Sequence, residues 1–169
     1  MSKHLFPPIV ALLALSVLAG CNSSPSDNAA AKSDVGKTIT ASELASAKNA
    51  DGVCALDTVD DIENAKSWTV KKSAISMVRG WASTSGKKMP TQFTIVLTAQ
   101  QAYGFAGKTG EPRPDVAQAL GSADLANSGY NFAVDFSNIP TGTYHAFALT
   151  SSATGNEICN FQREIVVTP

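Results

Sequence analysis

The clearest pattern of polar and apolar positions lies at Tyr130, Phe132, Val134 and Phe136, which alternate with Asn131, Ala133 and Asp135. A period of two sends the larger apolar side chains to one face of an extended segment, so this stretch predicts a half-buried β-strand. Alternating or β-branched runs at residues 53–59, 73–81, 92–98, 144–150 and 158–167 predict further strands, separated by polar turns such as 151–156. Trp81 shares parity with Ile75 and Met77, which assigns it to the core face of its strand. Residues 68–72 are too mixed in pattern to assign. Helical signals are few. Thr40-Ala41-Ser42-Glu43 matches the capping box and predicts a short helix over residues 41–48, ended by Asn49, Asp51 and Gly52. Pro114 sits where a first helical turn accepts proline, good helix formers follow, and Gly121 closes a second helix over 114–120. No fixed-period repeat argues for a solenoid. Six or so short strands with one or two short helices predict a mainly β chain, an antiparallel Ig-like β-sandwich over residues 53–169, with 40–52 as helix and connection.

A different pattern occupies the N-terminal end. Lys3 and His4 precede an apolar run from Ile9 to Gly20, the layout of a secretory signal peptide. As a helix it would span roughly 18 Å, short of the hydrocarbon core of about 30 Å, so it does not predict a membrane-spanning anchor. The end of the run, Leu18-Ala19-Gly20-Cys21, resembles the lipobox of bacterial lipoproteins. The resemblance implies that residues 1–20 are a lipoprotein signal peptide and that Cys21 becomes the lipidated first residue. Several acyl chains at about 0.8 kcal/mol per buried methylene would hold the protein durably on a membrane. Asn22 stands where that family uses Asp for inner-membrane retention, which implies the outer membrane, facing the periplasm. The following segment, to about Thr38, carries Val35 as its sole sizeable apolar residue. It predicts a disordered tether, so that residues 21–39 comprise the lipidated cysteine and a spacer.

Composition narrows the function classes. The chain has 169 residues, 13 basic and 14 acidic side chains, and 44% hydrophobic residues. That length allows one ordinary domain beside the appendages. The balanced charge supplies no basic field for nucleic acid, so neither DNA nor RNA is an expected partner. With Cys21 lipidated, Cys54 and Cys159 remain as a pair in an exported chain, which predicts a disulfide; the alternative is two buried, reduced thiols. No CxxC motif points to redox chemistry.

Candidate catalytic chemistry is thin. His145 is the one histidine beyond the leader, and no G-x-S-x-G nucleophile accompanies it. Asp57, Asp60, Asp61 and Glu63 cluster in sequence without the spacing of a calcium loop and read as a solvated acidic loop. No metal or cofactor is expected. Trp68 and Tyr103 are candidate ligand-binding rings for a sugar face or a protein partner. Arg113 and Asp115 form either a ligand-binding pair or an internal ion pair fixing their loop. Gly80-Trp81-Ala82, Arg113-Pro114-Asp115-Val116-Ala117, Ser128-Gly129-Tyr130 and Gly142-Thr143-Tyr144 occur in an order similar to β-sandwich accessory modules of some bacterial glycosyltransferases and surface proteins. This resemblance covers about residues 53–167 and implies a non-catalytic sandwich, with no transferase activity carried over. The expectation is therefore a lipid-anchored cell-envelope binding or structural module without catalysis. The alternatives are a glycan-binding lipoprotein using Trp68, Tyr103 or Arg113, and a small envelope hydrolase built on paired carboxylates.

Overall fold

The computed structural model describes residues 34–169. In chain order the elements are β1 (Asp34–Val35), β2 (Lys37–Ile39), α1 (Ala41–Ala45), β3 (Lys48–Asn49), β4 (Cys54–Val59), β5 (Ile62–Glu63), β6 (Ser67–Lys71) and β7 (Ile75–Ala82). There follow β8 (Gln92–Thr98), β9 (Ala102–Gly107), α2 (Pro114–Leu120), a 3₁₀ turn (Ala123–Leu125), β10 (Gly129–Asp135), β11 (Gly142–Ser152) and β12 (Gly155–Thr168). The chain is mainly β. The expected signal peptide, lipobox and lipidated Cys21, with most of the expected tether, lie outside the described residues.

The strands form two open sheets. One has the order β1-β10-β7-β4-β5 and the other β2-β9-β8-β11-β12, with β3 and β6 sharing the outer edge of β12. All pairings between the long strands are antiparallel, as alternation predicts. The sheets are nonetheless mixed, because β1, β3 and β6 each pair in parallel with a longer strand. These short pieces are laid against an existing edge by a crossing chain, and strand pattern does not encode that direction.

Both sheets feed one hydrophobic core. Leu56, Val78 and Val134 of the first pack in the same cluster as Ile95, Phe105 and Ile165 of the second. The alternation at Tyr130, Val134 and Phe136 holds: all three are buried, and Phe132 packs half-buried against the cluster. Phe93 of β8 stacks on Tyr130 of β10 with ring centroids 4.6 Å apart, a contact between the two sheets.

Several boundaries shift for physical reasons. Residues 34–39, whose composition places them in the tether, instead form β1 in one sheet and β2 in the other. Gly36 lies between them, where an added Cβ would sit 2.5 Å from Ile139 Cδ1 and 3.0 Å from the Phe105 ring. Only glycine lets the chain cross this closely over the core. The capping box at Thr40 is present in full, yet α1 ends at Ala45 because Lys48 and Asn49 pair with β12. Residues 68–72, unassigned by pattern, fall largely in β6, while 102–107, where no strand is expected, form β9. Glycine at two of the six β9 positions hides its strand character; Ile39 and Thr94 side chains close over Gly104 and occupy the space of a Cβ. Trp81 is a correction. Its strand buries Ser76, Val78, Gly80 and Ala82, so Ile75, Met77 and Trp81 face outward. Small residues win the inner face there because Ala55 O and the Tyr130 hydroxyl crowd Gly80.

Candidate functional site

The sequence-derived ligand residues do not assemble into one site. Trp68 lies in β6 at one edge of the larger sheet and Tyr103 in β9 near the other, with β8, β11 and β12 between them. Trp68 is 2% exposed and its indole N–H donates to Ile62 O at 2.7 Å. Its polar handle is spent on the backbone and its faces are in the core, so it cannot offer a stacking surface. This corrects the expectation of a ligand-binding ring at Trp68.

Arg113 and Asp115 do meet, as an internal clamp. Arg113 Nε and Nη2 donate to the Asp115 carboxylate at 2.9 and 2.8 Å, and Nη1 donates to Asp57 Oδ2 at 2.8 Å. The guanidinium is forked between two carboxylates, tying the start of α2 to β4. The hydrogen bond from Arg113 holds the Asp115 carboxyl down at about 2, against an ordinary value of 3.8. Arg113 is raised in turn, chiefly by the hydrogen bond to Asp115. With its donors engaged, this arginine is a fastener of the loop; of the two roles considered for the pair, the geometry shows the internal one.

Two more acids of the run beside it, Asp60 and Asp61, are likewise bonded. Asp60 and Asp61 both adopt positive φ, 50° and 63°, between paired Val59 and Ile62, which is the geometry of a two-residue type I′ hairpin. Asp60 Oδ1 accepts the Met77 N–H at 2.8 Å and Asp61 pairs with Arg79. Among the described residues no group of three or more His, Cys, Asp or Glu stands close enough to hold a metal ion. Glu157, buried in β12, accepts both the Ser85 N–H at 2.7 Å and the Ser85 hydroxyl at 2.6 Å, pinning the 83–90 connection.

Tyr103 keeps a place beside open space. It is 8% exposed, meets Tyr144 edge-to-face at 6.0 Å, and its hydroxyl bonds Gln101 Oε1 at 3.2 Å. The two tyrosines border a groove of about 460 Å³, completed by Gln100, Gln101, Thr141 and Thr143. A second groove, of about 510 Å³, runs on the other side of the same 99–101 turn, against Thr38, Thr40 and Leu44. Neither lining contains an acidic or basic side chain. Sequence pattern could not assemble these amide and hydroxyl groups, because they come from β2, the cap of α1, the β8–β9 turn and the start of β11 with the loop before it.

Cys54 and Cys159 are joined by a disulfide, Cα to Cα 6.2 Å, across 105 residues. The bond connects β4 of one sheet to β12 of the other. No protein-family model matches the chain, and no curated protein matches it.

Proposed function

We propose that this protein is a lipid-anchored, disulfide-closed binding or structural module of the cell envelope, held in the outer membrane through Cys21, facing the periplasm and without catalytic activity of its own. The observation that carries the non-catalytic part is the employment of five of its carboxylates in the fold. Asp57 and Asp115 hold Arg113, Asp60 caps a backbone amide, Asp61 holds Arg79, and Glu157 pins Ser85. Carboxylates engaged in this way fasten the fold, which supports a structural role for them. The anchor rests on Leu18-Ala19-Gly20-Cys21 at the end of an export signal, and the placement on Asn22.

The proposal includes an Ig-like sandwich as the arrangement of the two sheets. Support comes from the inter-sheet disulfide and from Tyr144, whose hydroxyl, near the start of β11, returns to Pro140 O at 2.7 Å. That short loop-back is the pattern of a tyrosine corner.

The anchor has a direct test. Cys21→Ala should release the protein from the membrane fraction and abolish the mass added by acylation; a variant that still fractionates with membranes, its mass altered only by the substitution, overturns the anchor. Crosslinking in intact cells then names the envelope component beside the domain.

Glycan recognition is the second reading, favoured by the uncharged lining of the paired grooves. Amides and hydroxyls satisfy sugar hydroxyls without burying an unpaired charge. Tyr103 belongs to that site, whereas Trp68 and Arg113 do not. Gln100→Ala and Thr143→Ala, both at exposed positions, should each weaken binding to a neutral oligosaccharide by about fivefold, the loss of one net hydrogen bond. A neutral glycan array with no bound member ends this reading.

A further inference from the structure

The pairing of β11 with β12 is interrupted at one place. Ala146 faces Arg163 and Phe147 faces Asn160, so Phe161 and Gln162 are extra residues in β12. Gln162 takes φ +56° at this bulge, and its N–H is held by Asn160 Oδ1 at 2.7 Å. Positive φ is unfavourable for a residue with a Cβ and persists where surrounding bonds enforce it. A bulge of this kind turns side chains away from the regular alternation of the strand.

The redirected chain borders a groove of about 490 Å³, lined by Lys66, Ser67, His145, Asn160, Gln162, Arg163 and Glu164. Its arginine differs from the other two in the chain. Arg79 pairs with Asp61 and also donates to Asn131, and Arg113 is forked between Asp57 and Asp115. Arg163 has no carboxylate partner among the described residues: it makes one bond, from Nη1 to Gln162 O at 3.4 Å, and its buried Nε has none. Lys66 likewise has no acidic partner among the described ion pairs. The single acid of the lining, Glu164, is turned to His145, with Oε1 3.5 Å from Nδ1. The groove thus carries two cations that no carboxylate pairs with among the described residues, one carboxylate at its His145 end, and amide donors from Asn160 and Gln162.

We propose that this bulge groove is a binding site for a phosphoryl group, with the Arg163 guanidinium and the Lys66 ammonium as its charged donors. A phosphoryl group presents three acceptor oxygens to the guanidinium fork, the ammonium and the amides, whereas a carboxylate presents two. A planar guanidinium and a compact ammonium are the usual pair for a tetrahedral oxyanion. Both a soluble phosphate and the headgroup of a phospholipid monoester present this group.

The test is an NMR titration of the full chain with inorganic phosphate at constant ionic strength, following the backbone amides of Lys66, Gln162 and Arg163 and the His145 ring. Saturable shifts confined to these residues are expected with phosphate and absent with chloride. Arg163→Gln should weaken binding by about tenfold, and Lys66→Gln, at an exposed position, by several-fold with the spectrum elsewhere unchanged. Short-chain phosphatidic acid, used below its micellar concentration, distinguishes the sources: affinity equal to that of phosphate assigns the soluble group, and tighter binding assigns the headgroup. Equal shifts from chloride, no shift with either phosphate source, or Lys66→Gln and a folded Arg163→Gln binding like the parent would each overturn the site.

Discussion

Asp115 shows how a single residue records its surroundings. Its carboxyl is held at about 2 by the Arg113 hydrogen bond, below the ordinary 3.8. The ionised form is therefore favoured by folding, and its contribution is present above about pH 4 and lost as the pH falls toward 2. Asp115 is exposed, so solvent screening keeps that contribution small. A carbon-detected titration should place the Asp115 midpoint near 2, and Arg113→Met should return it toward 3.8; a midpoint unmoved by that change would separate the two residues. The sequence made Arg113 and Asp115 visible as a pair. It did not show Asp57, whose carboxylate arrives from a strand 56 positions earlier and decides that the guanidinium is occupied. Trp68 marks the same limit: residues 68–72 carry no clear pattern, and the pairing of β6 with β12 is what turns the indole and Val70 inward between exposed Ser67 and Thr69.

At the scale of elements, the strap formed by β1, Gly36 and β2 joins one sheet to the other at the point where the described chain begins. Asp34 Oδ2 accepts the Ala106 N–H at 2.6 Å, and Gly36 N–H reaches Asp135 O at 3.4 Å. Gly36→Val would drive a branched side chain into Ile139 and the Phe105 ring. Overpacking there should loosen the strap alone, raising amide exchange over residues 34–39 by at least about tenfold, roughly 1.4 kcal/mol. Exchange accelerated equally in β8 and β11 would show that the strap opens only with the whole domain. Long strands were legible because alternation extends over many positions, as in β8, β10 and β11. The strap was not, because two- and three-residue strands carry no periodicity, and their polar composition matches a linker. β9 was hidden by the glycines that other side chains require.

At the scale of the molecule, the disulfide between β4 and β12 constrains the unfolded chain across most of the domain. Replacing both cysteines by serine should lower stability to urea by about 2–5 kcal/mol, the effect of releasing a loop of this length. An unchanged unfolding midpoint would show that the two sheets need no covalent link. Cysteine arithmetic found this pair because an exported chain, as expected from the sequence, leaves few other fates for two thiols in a small domain. Sequence alone determined the strand-rich class, both helix starts, the pairing of Cys54 with Cys159 and the inward face of β10, since each follows from local periodicity, capping chemistry or counting. Tertiary structure decided the parallel edges, the outward turn of Trp81, the burial of Trp68, and which arginine has no carboxylate partner among the described residues. Those depend on atoms brought together from distant parts of the chain, and no local pattern records which of them will meet.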